Sequence, residues 1–199
     1  MTPPATACVW HARERRIDIS RYAIMGVLDL TPDSFLAESR CATVADAVAR
    51  ATVMCADGAA IIDVGGESTR PGAPAVHADE ECRRIVPVIA ALARTLDVAI
   101  SVDTRKPAVA RAALDAGAHV VNDVSGCADP AMLTVVCECG AGIVVMQMQG
   151  DPATMQANPL DADTVMPALH EFFRARGAAL ATAGIARDQM VFDPGIGFG

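Results

Sequence analysis

Aromatic side chains make up only 4% of this 199-residue chain, with one Trp and one Tyr, so its core must be built from small and β-branched aliphatics. Basic residues are in deficit as well. Sixteen Lys and Arg stand against twenty-four Asp and Glu, a formal net charge of −8. A general nucleic-acid binder carries the opposite excess, and that class is discounted. Apolar runs are short, and none approaches the roughly 20 residues that cross a bilayer. The N-terminal stretch MTPPATACVWHARERRIDIS has no apolar signal-peptide core. Cysteines lack any disulfide-like framework: seven, an odd count, are scattered at 8, 41, 55, 82, 127, 137 and 139. Cys55 and Cys82 lie in helix-like segments and read as small buried hydrophobes in a reducing compartment. Cys137 and Cys139 form a C-x-C pair with no second pair or His cluster to complete a zinc site. A cytoplasmic chain without a membrane partner is expected, and its 52% hydrophobic content suffices for one sizeable core.

What is present is a repeat of strand and helix. Six apolar runs end in polar residues: AIMGVL before Asp29, AAII before Asp63, VAISV before Asp103, HVV before Asn122, GIVVM before Gln147 and MVF before Asp193. Short Val- and Ile-rich runs followed by turn residues read as buried strands. Helical spacing fills the gaps, as in Val44, Ala47, Val48 and Ala51 behind a Thr43/Asp46 capping box. Another helix spans Glu80 to Leu96 with a kink expected at Pro87. Gly58, Gly117, Gly140 and Gly184 sit where left-handed C-caps belong, and Pro107 and Pro130 where first helical turns accept them. Such alternation implies a parallel sheet buried on both faces. Six polar strand ends favour the rim of a TIM (β/α)8 barrel over the single switch point of a doubly wound sheet. With about six strands and five helices, the barrel is expected to be incomplete.

Three loops have a chemical character. Asp29-Leu-Thr31-Pro-Asp33-Ser34 offers oxygen donors suited to a hard cation or a phosphate. Asp63-Val-Gly65-Gly66-Glu67-Ser68-Thr69-Arg70-Pro71-Gly72 combines glycines, hydroxyls and a forked cation, an anion-binding combination. Asp103, Asn122 and Asp193, from three strands, would point into one rim pocket. Each could be a helix N-cap. Together they suit a flat heterocycle with an amidine-like edge, since carboxylates accept paired N–H groups and Asn both donates and accepts. Gln147, Gln149, Met155 and Gln156 are assigned to pocket shape. The closing Asp193-Pro-Gly-Ile-Gly-Phe198-Gly199 lacks the G-x-G-x-x-G spacing of a dinucleotide loop. His11, His77, His119 and His170 fall outside the rim.

These loops, with Met25-Gly-Val-Leu-Asp29-Leu-Thr-Pro-Asp-Ser-Phe35, Ser101-Val-Asp-Thr-Arg-Lys-Pro107 and Asn122-Asp123, resemble the successive signatures of the dihydropteroate synthase family, in order from about residue 20. The resemblance implies an N-terminal extension over 1–20 and a pterin-binding barrel domain over 21–199. It implies an enzyme that joins dihydropterin pyrophosphate to p-aminobenzoate to give dihydropteroate, a folate precursor, at a site where sulfonamides compete. Asp103, Asn122 and Asp193 would hold the pterin. Thr69 and Arg70, the expected catalytic pair, would serve pyrophosphate and aminobenzoate, with Pro71 and Phe198 flanking the latter. Asp29 would bind Mg²⁺, and the full-length form would be a homodimer.

The chain departs from the family pattern at several points. Asp29 stands where the family has Asn, Leu36-Ala-Glu-Ser39-Arg40 where it has a glycine-rich continuation, and Gln147 where it usually has His. The family's Lys, Lys–Ser and Arg-x-His segments after the Gly199 motif are not in this sequence, so the 199-residue chain alone is expected to be inactive. The alternative is a catalytically silent pterin- or partner-binding paralogue, or a decayed gene fragment. A pterin-dependent methyltransferase fits less well, because Glu67-Ser-Thr-Arg-Pro-Gly72 is particular to the synthases.

Overall fold

The computed structural model describes residues 8–31, 43–68, 73–150, 154–155, 160–161 and 163–198. A short antiparallel hairpin of β1 (Val9–Ala12) and β2 (Arg15–Asp18) comes first. Then β3 (Ile24–Asp29), α1 (Val44–Ala56), β4 (Ala59–Gly65), α2 (Ala78–Thr95), β5 (Ala99–Asp103), α3 (Pro107–Asp115) and β6 (Val120–Asp123) alternate. The alternation continues with α4 (Pro130–Cys139), β7 (Gly142–Met146), α5 (Val165–Thr182) and β8 (Met190–Asp193). Strands β3 to β8 pair in chain order, every pair parallel. This is the expected incomplete barrel of six strands and five helices.

Local chemistry sets the element ends. Thr43 accepts from the Asp46 amide at 3.1 Å while Asp46 accepts from the Thr43 amide at 3.1 Å, closing the capping box of α1. Pro107 and Pro130 occupy first helical turns, and Gly58, Gly117, Gly140 and Gly184 all have positive φ. Two expectations about strand ends are corrected. Asp63 lies inside β4, which continues to Gly65, and Asn122 is followed within β6 by Asp123. Both face the lumen, where Asn122 Nδ2 donates to Asp63 Oδ2 at 3.0 Å. Pro87 does not end α2, which continues through it on an exposed side. Cys55 and Cys82 are half-buried free thiols rather than core residues.

Two cores result. On the outer face of the sheet, Leu28, Ile62, Val64, Ile100, Val102, Val121, Ile143 and Val145 pack with Ala47, Ala51, Ile85, Ile89, Leu92, Val109 and Met132 from the helices. On the inner face, Ile61, Ala99, Val120 and Val144 close around Trp10, Ala12 and Ile17 of the hairpin. The hairpin therefore plugs one end of the lumen. Trp10 Nε1 donates to the Gln189 carbonyl at 2.8 Å, and Arg13 Nη1 donates to the carbonyls of Leu114 and Ala118, each at 2.8 Å. The latter pair ties the hairpin turn to the chain that leads from α3 into β6.

His119 sits in this plug, 5% exposed, with Nδ1 accepting from the Ile100 amide at 3.0 Å. Burial lowers its pKa; Glu14 opposes that shift, and the cations Arg15 and Arg13 add to it. The unfolded chain takes up the proton first, so the contribution of His119 is complete above the unfolded pKa of about 6.5 and is lost as pH falls below it. His119→Asn should cost stability at pH 7.5 and distinctly less at pH 5.5. Thermal melts of both proteins at the two pH values check this, and an equal cost at both would contradict it.

Candidate active site

The register of the parallel sheet builds the site. Asp29 pairs with Gly65, Gly65 with Asp103, and Asp103 with Asn122. Residues paired across strands project to the same side of a sheet, and so do residues two apart in one strand. That side is the lumen, because Ile61 and Ala99, four residues below Gly65 and Asp103, pack on Trp10. The row beneath Asp29, Gly65, Asp103 and Asn122 contains Val27, Asp63, Ser101 and Val120. Asp193, paired with Met146, falls one row above, over Val191 and Val144. Three of the expected residues thus share a layer and the fourth stands over it. Gly65 contributes no side chain to that layer, and a cavity of about 100 Å³ opens there, bordered by Asp29, Asp63, Glu67, Ser68 and Asp103.

Carboxyl groups dominate the layer. Burial pushes Asp103 well above the usual carboxylate range, and the charges of Asp63, Glu81, Asp123 and Asp29 push it further. Asp63 is raised by burial too, partly offset by Ser101 and Asn122. Asn122 Nδ2 donates to Asp63 Oδ2 at 3.0 Å. Asp123, next in sequence, projects to the opposite side of β6, where its Oδ1 accepts from the Ser125 amide at 2.8 Å and hydroxyl at 2.6 Å. Asp29 Oδ1 accepts from the Thr31 amide at 2.9 Å.

The loop after β4 is held from behind. Gly66 lies so close to α2 that a Cβ there would come 2.7 Å from Ile85 Cγ2. Its carbonyl accepts from Arg84 Nη1 at 2.9 Å. Lys106 bridges Glu67 and the wholly buried Glu81, the latter at 2.5 Å, and Arg105 Nη2 donates to Glu67 Oε1 at 2.9 Å. Burial alone would raise the Glu67 pKa, but the bonds from Lys106 and Arg105 outweigh it and hold the carboxylate low. Thr69, Arg70 and Pro71 lie outside the described residues.

At the other side, the β8 loop is tied to the β7 loop. Asp193 Oδ1 accepts from the Gly195 amide at 2.8 Å and its carbonyl accepts from the Gln147 amide at 2.9 Å. Gly195, with φ +64°, is obligatory, since a Cβ there would stand 1.9 Å from the Gln147 carbonyl oxygen. The half-buried Phe198 donates its amide to the Gly195 carbonyl at 2.8 Å and accepts from the Gln149 amide at 3.2 Å. Cys137 is exposed on α4, Cys139 is half-buried, and no group of three metal-ligating side chains occurs among the described residues.

Sequence reasoning gave no role to Asp63, Glu81 or Lys106. Glu81 had a legible signal, for Glu81, Ile85, Val88 and Leu92 share one stripe of α2, so this Glu sits on the buried face. Asp63 had none, because strands covered on both faces show no alternation.

Relieving the carboxyl crowding should stabilise the fold. A carboxyl whose folded pKa is raised burdens the folded state increasingly as pH rises above about 3.9, its unfolded value. Asp103→Asn should therefore raise the melting temperature at pH 7, by about 2–4 °C for each kcal/mol relieved. A lower melting temperature than the parent's would contradict the crowding.

Four similarities place this chain among known proteins. The family model described as pterin binding enzyme matches residues 25–199. The dihydropteroate synthase of Escherichia coli (strain K12) is 43% identical over 188 residues, covering 94% of this chain. The chain spans 66% of that enzyme's length. Among solved structures, Yersinia pestis dihydropteroate synthase in a sulfonamide drug complex superposes with a TM-score of 0.89 at 41% identity, over 96% of this chain and 69% of that one. Burkholderia cenocepacia dihydropteroate synthase complexed with 7,8-dihydropteroate gives 0.83 at 41% identity, over 97% of this chain and 65% of that one. On its signatures, its register and these similarities, the chain belongs to the pterin-binding enzyme family that includes the dihydropteroate synthases.

Proposed function

We propose that this chain forms the pterin end of a dihydropteroate synthase, which condenses dihydropterin pyrophosphate with p-aminobenzoate in folate biosynthesis. One observation supports the reading: Asp103 and Asn122 share a lumen layer with Asp193 one row above, a set of donors and acceptors suited to a flat heterocycle. The relative bound to 7,8-dihydropteroate supports the same assignment. Asp103, Asn122 and Asp193 grip the ring edge and fix its exocyclic methylene toward the loops after β3 and β4. The aryl amine nitrogen forms a bond to that carbon, the carbon–oxygen bond to pyrophosphate breaks with its electron pair, and the amine loses a proton. Thr69 and Arg70 meet the departing pyrophosphate, while Pro71 and Phe198 border the aminobenzoate and exclude water from the electrophilic carbon.

Asp29 fits a single role toward Mg²⁺. Its Oδ1 is committed to Thr31, and among the described residues no hydrogen bond engages Oδ2. A hard cation that takes one protein carboxylate and otherwise water and phosphate oxygens suits such a donor. Asp29 would hold such an ion, and the chemistry it would supply is neutralisation of charge on the leaving group. The partners are the two small-molecule substrates and, in the full-length form, a second copy of the chain. Among the described residues no helix is long and apolar enough to cross a membrane, and a formal charge of −8 speaks against nucleic acid.

Charge-assisted hydrogen bonds are worth roughly 1.5–3 kcal/mol each, so Asp103→Ala should weaken binding of 6-hydroxymethylpterin by about ten- to a hundredfold. Cys137→Ala, exposed on α4 and away from the lumen, should bind as the parent does. Calorimetric titration of the three proteins decides it. Equal affinities for Asp103→Ala and the parent would make the layer structural and the pterin reading untenable.

A further inference from the structure

Beneath the ring-binding layer lies a carboxyl that the synthase reading leaves without a task. Asp63 is 3% exposed, paired in register with Ser101, which is fully buried. Asp63 Oδ2 receives Asn122 Nδ2 at 3.0 Å. Asp63 Oδ1 and Ser101 Oγ are buried with no close hydrogen-bond partner, and the Ser101 hydroxyl lies only near enough to ease the carboxyl's burial in part. A buried carboxyl that is only half satisfied costs stability, a cost that an apolar side chain in its place would not carry.

We infer that Asp63 is a positioning residue that sets which way the Asn122 amide faces, and thereby selects a 2-amino pteridine over a 2-oxo one; the inference rests on the pterin reading above. A free Asn side chain exchanges its oxygen and nitrogen by a half-turn about its last bond and serves either hydrogen-bond order. With one N–H held by Asp63, the half-turn is blocked, because it would set Oδ1 against a carboxylate oxygen. Asn122 then offers the lumen its Oδ1 and remaining N–H in one fixed order. A pterin presents N1, an acceptor, beside the C2 amino group, a donor. A lumazine presents N1–H beside the C2 carbonyl, the same shape with the order reversed. A site that hydrogen-bonds one edge rejects the other because its buried groups are left unpaired. Asp63 acts on this choice through Asn122, to which it is hydrogen-bonded.

The test measures a preference rather than an affinity alone. The parent, Asp63→Asn and Asp63→Leu are titrated with 6-hydroxymethylpterin and with 6-hydroxymethyllumazine, and each is melted to establish cooperative folding. Asp63→Asn retains an acceptor for Asn122 and turns its own N–H toward Ser101, so it should keep the parent's preference for the pterin. Asp63→Leu frees the amide, and the preference should shrink by about tenfold, the worth of one misdirected hydrogen bond. Asp63→Ala replaces Asp63→Leu, with the same expectation, if the latter does not melt cooperatively. Should the parent bind and the apolar variant keep its preference, or Asp63→Asn lose it equally, the inference is wrong while the pterin reading stands. No binding by the parent removes both.

Discussion

The register of a parallel sheet is the constraint from which the rest of this structure follows. Because paired residues share a face, the pairing of Asp29 with Gly65, Gly65 with Asp103 and Asp103 with Asn122 brings four distant points of the sequence to one level of the lumen. A slip of one residue in any strand would turn its members outward, among Val64, Val102 and Val121 on the helix-covered face. The inner core fixes the level from below. Trp10 and Ile17 of the hairpin seat on Ile61, Ala99 and Val120 and close the lumen end, so polar side chains gather only above them.

Gathering them has an electrostatic cost that the fold distributes unevenly. Glu67 and Glu81 share Lys106, and Arg105 adds a second cation to Glu67, so the loop after β4 keeps its charges matched. Asp103 and Asp63 have no such cation among the described residues; the Asn122 amide and the nearby Ser101 hydroxyl only partly offset the burial of Asp63, and the pKa of each carboxyl rises. The imbalance falls where a ligand would sit. A heterocycle with N–H groups supplies the donors that the protein withholds, which is the usual exchange of stability for binding at functional sites.

Much of this was legible in the residues. The capping box at Thr43, the prolines at 107 and 130 and the glycines that end four helices carry local chemistry strong enough to mark the helix ends unaided. The strand count followed from them, and the polar ends at Asp29, Asp103 and Asp193 pointed to one rim. Harder to see were the features that depend on tertiary burial. Asp63 was read as a strand end because β4 is covered on both faces and shows no alternation, so nothing in the sequence says the strand runs on to Gly65. Nothing in the hairpin's sequence shows what it packs on; Trp10, Ala12 and Ile17 join Ile61, Ala99, Val120 and Val144 in the inner core. Glu81 stands in an acidic first turn with Asp79 and Glu80, and only its place on the stripe of Ile85 and Leu92 sets it apart from them.

The central claim is that one layer of the lumen, set by strand register, is the floor of a pterin site. A crystal structure of the chain with 6-hydroxymethylpterin tests it directly. The ring should lie across the lumen above Asp63, its 2-amino edge within hydrogen-bond distance of Asp103 and Asn122 and its far edge toward Asp193. A ring bound outside the lumen, or in it without contact to Asp103 and Asn122, would contradict the account.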